Sequence, residues 1–191
     1  MRCTAMTARW IFVFGFAAAL LTSLGCSNGG SDGSVPPALA CTDSGPAGAN
    51  GVTMTCAGPT DSTTEQVDVV IGGPASGSTT LRGLNFDVPY DATKLEFVPA
   101  ATYTSPLIPG ALVGVSLQNG QPGRVVVSIQ QVGGAPDVSV ASGQQVVAIS
   151  LSFRTVAGIT VAPTALGFES EETTGASAAV AFSSGLMLSY Q

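Results

Sequence analysis

From Val52 onward, apolar and polar residues alternate in short runs separated by turn residues. This is the period-2 signature of strands with one buried face. In Leu84-Asn85-Phe86-Asp87-Val88, the apolar residues Leu84, Phe86 and Val88 share one face, and Asn85 and Asp87 share the other. A turn at Tyr90-Asp91-Ala92-Thr93 ends this run, and a second short strand follows through Leu95 and Phe97. A later run places Val147, Ile149, Leu151 and Phe153 on one face and Ala148, Ser150 and Ser152 opposite. The pattern predicts strands near residues 52–56, 66–71, 81–89, 95–99, 112–118, 124–132, 145–155, 159–162, 165–169, 178–182 and 186–190. Turn signals lie between them at Gly72-Gly73-Pro74, Asn119-Gly120, Gly133-Gly134-Ala135-Pro136 and Ser142-Gly143. No long window in this part of the chain combines helical periodicity with good helix formers, and no internal repeat is found. Many short strands without helices predict an all-β chain folded as a two-layer antiparallel β-sandwich.

The beginning of the chain reads differently. Arg2 and Arg9 make a positive start, Trp10 to Leu24 is uncharged and mostly apolar, and Gly25-Cys26 follows. The apolar stretch suits a signal peptide and is short for a spanning helix, which needs about 20 residues. Thr22-Ser23-Leu24-Gly25-Cys26 resembles a bacterial lipobox, with Ser23 where Leu is usual. That resemblance implies a lipidated Cys26 at the mature N-terminus; the plainer alternative is an ordinary cleaved signal with an incidental Cys. The expected organisation is a signal peptide over 1–25, a Gly/Ser/Pro tether over 26–40 and a sandwich domain over 41–191. Such a tether would reach about 20 Å, at about 5–6 Å × √n. The expected location is the bacterial cell envelope, at the outer membrane or cell surface, with the membrane contacted through the lipid anchor only.

Composition narrows the function. There is no His, only 9% of residues are charged, and the formal charge is −6. Beyond the leader the only cations are Arg82, Lys94, Arg124 and Arg154, against all 12 carboxylates. No basic patch exists, which argues against nucleic acid. Cys41 and Cys56 remain as a pair once Cys3 and Cys26 are set aside. In an exported chain, two Cys across a short loop are expected to form a disulfide. A metal site is the alternative; two thiols without His are a poor ligand set.

The run from Leu81 to Phe97, together with residues 66–71, 124–131 and 145–158, resembles a cohesin domain in order and spacing. A strand ends in Tyr90-Asp91, a turn and a Leu follow, and a later strand leads through Thr155-Val156-Ala157 to Gly158. The resemblance covers about residues 65–190. It implies a jelly roll of about nine core strands. It also implies a non-catalytic module that binds an exported, dockerin-bearing protein through a flat sheet face. Carried over by position, Asn85 and Asp87 on one strand, and Ser128, Gln130 and Gln131 on another, are the candidate partner-binding residues. The alternative for these residues is a solvated face without a partner. Tyr90 and Asp91 match the family pattern but read as structural, with Asp91 closing an Asx turn and Tyr90 packed beneath it. Unlike a scaffold protein, the chain carries a single copy.

Little else suggests chemistry. No Gly-x-Ser-x-Gly elbow and no His for a triad is present. Glu169, Glu171 and Glu172 form the one acidic cluster; ahead of Thr173-Thr174-Gly175 they read as a solvated loop rather than a paired-carboxylate site. Calcium there is the remaining alternative, and no cofactor is indicated. The chain is therefore expected not to be an enzyme. Two other functions compete with protein binding. A carbohydrate-binding module on the same scaffold would take polysaccharide and would need an exposed aromatic; with Trp10 in the leader, Tyr103, near Pro106 and Pro109, is the loop aromatic available. A structural envelope protein would pair through strand edges.

Overall fold

The period-2 runs become strands whose apolar faces meet between two sheets. The structure, a computed structural model, describes residues 38–160 and 163–190. The expected leader, Cys26 and the tether as far as residue 37 lie outside the described residues. The strands are β1 (Leu39–Thr42), β2 (Gly51–Asp61), β3 (Thr64–Gly72), β4 (Ser78–Leu81), β5 (Gly83–Pro89), β6 (Leu95–Val98) and β7 (Leu112–Leu117). They continue with β8 (Arg124–Gln130), β9 (Val138–Ala141), β10 (Gln145–Thr155), β11 (Thr164–Leu166), β12 (Glu169–Thr174), β13 (Ala181–Phe182) and β14 (Leu186–Tyr190). A five-stranded sheet in the order β13-β2-β3-β10-β6 and a four-stranded sheet in the order β12-β5-β8-β7 form the two layers. Together they supply the expected nine core strands. A three-stranded sheet, β1-β14-β11, and a two-stranded ribbon, β4-β9, complete the domain.

The core is built from the residues that the alternation singles out. Leu84, Phe86 and Val88 of β5 and Val125, Val127 and Ile129 of β8 face Val67, Val69 and Ile71 of β3 and Leu151 and Phe153 of β10, all buried. Each fully buried side chain of this size contributes about 1.5–3 kcal/mol. Phe86 meets Phe168 edge-on at 5.3 Å, and Phe168 meets Phe182 at the same distance, which seals one edge of the sandwich.

Five local features depart from the simple alternation. The register of β10 against β3 shifts between Val147 and Ile149, a bulge at Ala148. One extra residue swaps faces. Val147 therefore pairs with Val70, whereas Val146, opposite Ile71, packs against the core. The expected strand 81–89 breaks at Arg82. There the chain passes from the β4-β9 ribbon to the main sheet, and Arg82 N–H donates to Thr174 O at 2.7 Å. The short strands β1, β4 and β9 were not expected; β1 takes in Leu39 and Ala40, which the sequence reading places in the tether. Finally, Ile159 and Thr160 are not in a strand, Val161 and Ala162 lie outside the described residues, and β13 runs parallel to β2 within an otherwise antiparallel sandwich.

Cys41 and Cys56 are disulfide-bonded, with their Cα atoms 5.7 Å apart, and so join β1 to β2. Asp43 organises the loop between them: its carboxylate accepts from the Gly45 N–H at 2.9 Å and from the Cys56 N–H at 2.7 Å.

Candidate surface on the four-stranded sheet

The register of the four-stranded sheet decides which side chains share its outer face. Asn85 lies opposite Ser128 of β8 on one side and Glu172 of β12 on the other. Asp87 lies opposite Val126 and Glu169 in the same two strands. Gly114 and Ser116 of β7 lie opposite Ser128 and Val126, and Leu112 lies opposite Gln130. Four strands thus present one outer face to solvent. Its small or flat side chains run down the middle, a carboxylate pair sits at one end, and Leu112, 70% exposed, stands at the far corner.

A hydrogen-bond network runs across this face. The Asn85 side-chain oxygen accepts from Ser128 Oγ at 2.7 Å and from Gln130 Nε2 at 3.0 Å. Its amide nitrogen donates to Glu172 Oε2 at 3.5 Å. At the acidic end the Arg124 guanidinium donates to Asp87 Oδ2 at 3.2 Å and to Glu169 Oε2, bridging three strands. Asp87 is almost fully buried by these neighbours. Gly83 lets Gln130 lie across the sheet: a Cβ there would stand 2.6 Å from Gln130 Oε1 and from Ile129 O.

The expected site residues divide. Asn85, Asp87, Ser128 and Gln130 come together on one face. Gln131 does not join them. β8 ends at Gln130, and the Gln131 side chain turns to donate to the Pro136 carbonyl in the following loop. The acidic run is corrected more fully. Glu169, Glu171 and Glu172 are exposed, as expected, but residues 169–174 form strand β12 rather than a loop, paired to β5 with a bulge between Glu169 and Glu172, where Ser170 has φ +53°. Arg124, Val126, Glu169, Glu172 and Leu112 therefore belong to the face and were missed. The sequence Glu169-Ser170-Glu171-Glu172-Thr173-Thr174 has no apolar alternation, so only the adjacent Thr173 and Thr174, with their β-branched side chains, hinted at a strand.

The turn after β5 is structural, as expected. Asp91 Oδ1 accepts from the Thr93 N–H at 3.0 Å and its hydroxyl at 2.6 Å, while Lys94 Nζ lies 3.2 Å from Oδ2. The Thr93 bonds, with a smaller contribution from Lys94, hold the Asp91 carboxyl below its ordinary range. Tyr90 is buried, edge-on to Phe153 at 5.5 Å. Tyr103, the loop aromatic, is half-buried; its hydroxyl accepts from the Ala100 N–H at 2.9 Å, and burial pushes its phenol up. No group of three or more potential metal ligands occurs among the described residues.

No family model and no curated protein matches this chain. Solved structures do. The sixth cohesin from scaffoldin B of Acetivibrio cellulolyticus, solved in complex with a mutant Cel5 dockerin, is 15% identical. The match covers 71% of this chain and 94% of that one, with a TM-score of 0.51. Also similar is a non-cellulosomal cohesin from the archaeon Archaeoglobus fulgidus, 14% identical over 70% of this chain and 86% of that one, TM-score 0.47. A cohesin–dockerin complex from Clostridium thermocellum is 12% identical over 76% of this chain and 95% of that one, TM-score 0.46. The first of these shows the fold: a cohesin-like jelly roll.

Proposed function

We propose that this cohesin-like domain is a non-catalytic module that binds a dockerin-type protein through the outer face of β12-β5-β8-β7. The observation that carries the reading is the face itself. Four strands expose one side with no chain element across it among the described residues, and cross-strand hydrogen bonds and ion pairs hold its polar groups in place. Such preorganisation lowers the ordering cost of binding. The outer face of the other sheet is by contrast approached by the 100–106 segment, which lines a cleft with Gln66, Ser150 and Ser152.

The charge on the face indicates what a partner should bring. Arg124, its one cation, is shared between Asp87 and Glu169, so Glu172 is left facing solvent with only the Asn85 amide beside it. A partner offering Lys or Arg over Glu172 and an apolar residue over Leu112 or Val126 would complement both. The chain is further proposed to be exported and displayed from a lipid on Cys26.

Titration calorimetry against a panel of purified dockerin modules tests the binding. Saturable binding is expected, lost on Asn85→Arg and weakened about tenfold, or 1.4 kcal/mol, by Glu172→Lys. Failure of the whole panel, or binding indifferent to Asn85→Arg in a folded variant, removes the proposal. Mass spectrometry of the N-terminal peptide tests the anchor, with a diacylglyceryl group on Cys26 as the expected outcome.

A further inference from the structure

The outer face of the five-stranded sheet carries a second feature, independent of the proposed partner surface. β3 and β10 are in register there, so that Gln66 lies opposite Ser152, and Asp68 opposite Ser150. The loop after β6 stands against them and encloses a cleft of about 230 Å³, lined among others by Gln66, Ser150, Ser152, Thr102, Tyr103 and Thr104. None of these side chains is charged. Asp68, just behind them, orients two: its Oδ1 accepts from Ser150 Oγ at 2.6 Å and from Gln66 Nε2 at 3.5 Å. Ser150 therefore turns its lone pairs, and Gln66 its carbonyl oxygen, away from Asp68 as acceptors. The Tyr103 ring is fixed by its own hydroxyl bond to the Ala100 N–H.

From this arrangement we infer that the cleft between β3, β10 and the 100–106 loop is a subsite for one neutral sugar residue. An aromatic wall suits the C–H face of a pyranose. Uncharged hydroxyl and amide groups around it match the mixed donor and acceptor character of sugar hydroxyls. The volume lies below the roughly 300–1,000 Å³ of drug-sized sites, which fits a single ring and not an oligosaccharide. Lack of charge argues for a neutral sugar over a uronic acid or phosphate. With one ring and few buried contacts, affinity should be weak, on the order of millimolar.

The test is amide-detected NMR of the chain, titrated separately with methyl glucoside, methyl galactoside and N-acetylglucosamine. Saturable shifts confined to Gln66, the 100–106 loop and residues 150–152 are expected with at least one sugar. They should weaken at least about tenfold in Ser150→Ala/Ser152→Ala. Thr104→Val, on the exposed loop, gives a second reading if the double variant does not fold. Glu172→Lys, on the opposite sheet, should leave sugar binding unchanged, which separates this site from the proposed partner face. Absence of saturable shifts with all three sugars, or binding unaltered in the folded variants, overturns the inference.

Discussion

Asn85 commits both lone pairs of its side-chain oxygen within its own sheet, to Ser128 and Gln130. Its role is thus to hold neighbours in place, and it has little left to offer a partner directly. Asn85→Ala should lower stability by about 1 kcal/mol, the net worth of a typical intramolecular hydrogen bond, as read from the urea midpoint. Glu65 behaves differently. It is buried in β3, level with Phe153 on one side and Pro59 on the other, and desolvation raises its pKa. The folded state therefore holds this proton more tightly than the unfolded chain, so its contribution to stability falls as pH rises from the unfolded value, near 4.5, through the higher folded one. Glu65→Gln should be more stable than the parent at pH 7, with the gap closing on acidification below pH ~4. Denaturant midpoints at the two pH values check this, and a gap independent of pH would contradict it.

Among the elements, β12 depends most on its neighbours. Its outward side chains are charged or hydroxylated, and it is held by pairing to β5 and by Arg124 reaching Glu169. Arg124→Ala should raise hydrogen exchange across Glu169–Thr174 selectively and cost about 1 kcal/mol overall, the upper range for a partly exposed pair. Gly83→Ala should cost about 1–3 kcal/mol, because a Cβ 2.6 Å from Ile129 O forces the backbone or Gln130 aside. These elements also mark how far the sequence could be read. The strands with large alternating residues, β3, β5, β8 and most of β10, were legible because local alternation and long-range burial agree. β1, β4, β9 and β12 were not, since each is short or polar and exists through its partner strand. The site was half legible for the same reason. Alternation shows that Asn85 and Asp87 point outward; only the register of β5 against β8 and β12 brings Arg124, Glu169 and Glu172 beside them. At Ala148, one bulged residue was enough to reverse the face of Val147.

At the scale of the whole domain, two sheets and their shared core set the fold, and a covalent link adds to it. The Cys41–Cys56 bond closes a loop with a sequence separation of 15, worth about 3 kcal/mol in the chain-entropy model. Cys41→Ser/Cys56→Ser should lower Tm by roughly 6–12 °C, at about 2–4 °C per kcal/mol for a chain of this size. Calorimetry of the double variant measures it, and an unchanged Tm would mean that the reduced loop is already held by Asp43 and the pairing of β1 with β14.

The same link has a mechanical meaning. A pull on the chain ahead of Leu39 first loads β1, which is paired to the terminal strand β14. Once Leu39 and Ala40 peel away, the force reaches Cys41 and crosses directly to Cys56 in β2, inside the main sheet. The residues between the two sulfurs, the 43–50 loop and the start of β2, then carry no tension. In a pulling experiment the oxidised domain should lengthen on unfolding by less than the reduced one, by the length of the residues between the two sulfurs. Tension applied at that end would then enter the five-stranded sheet at Cys56, bypassing the 43–50 loop and the first residues of β2.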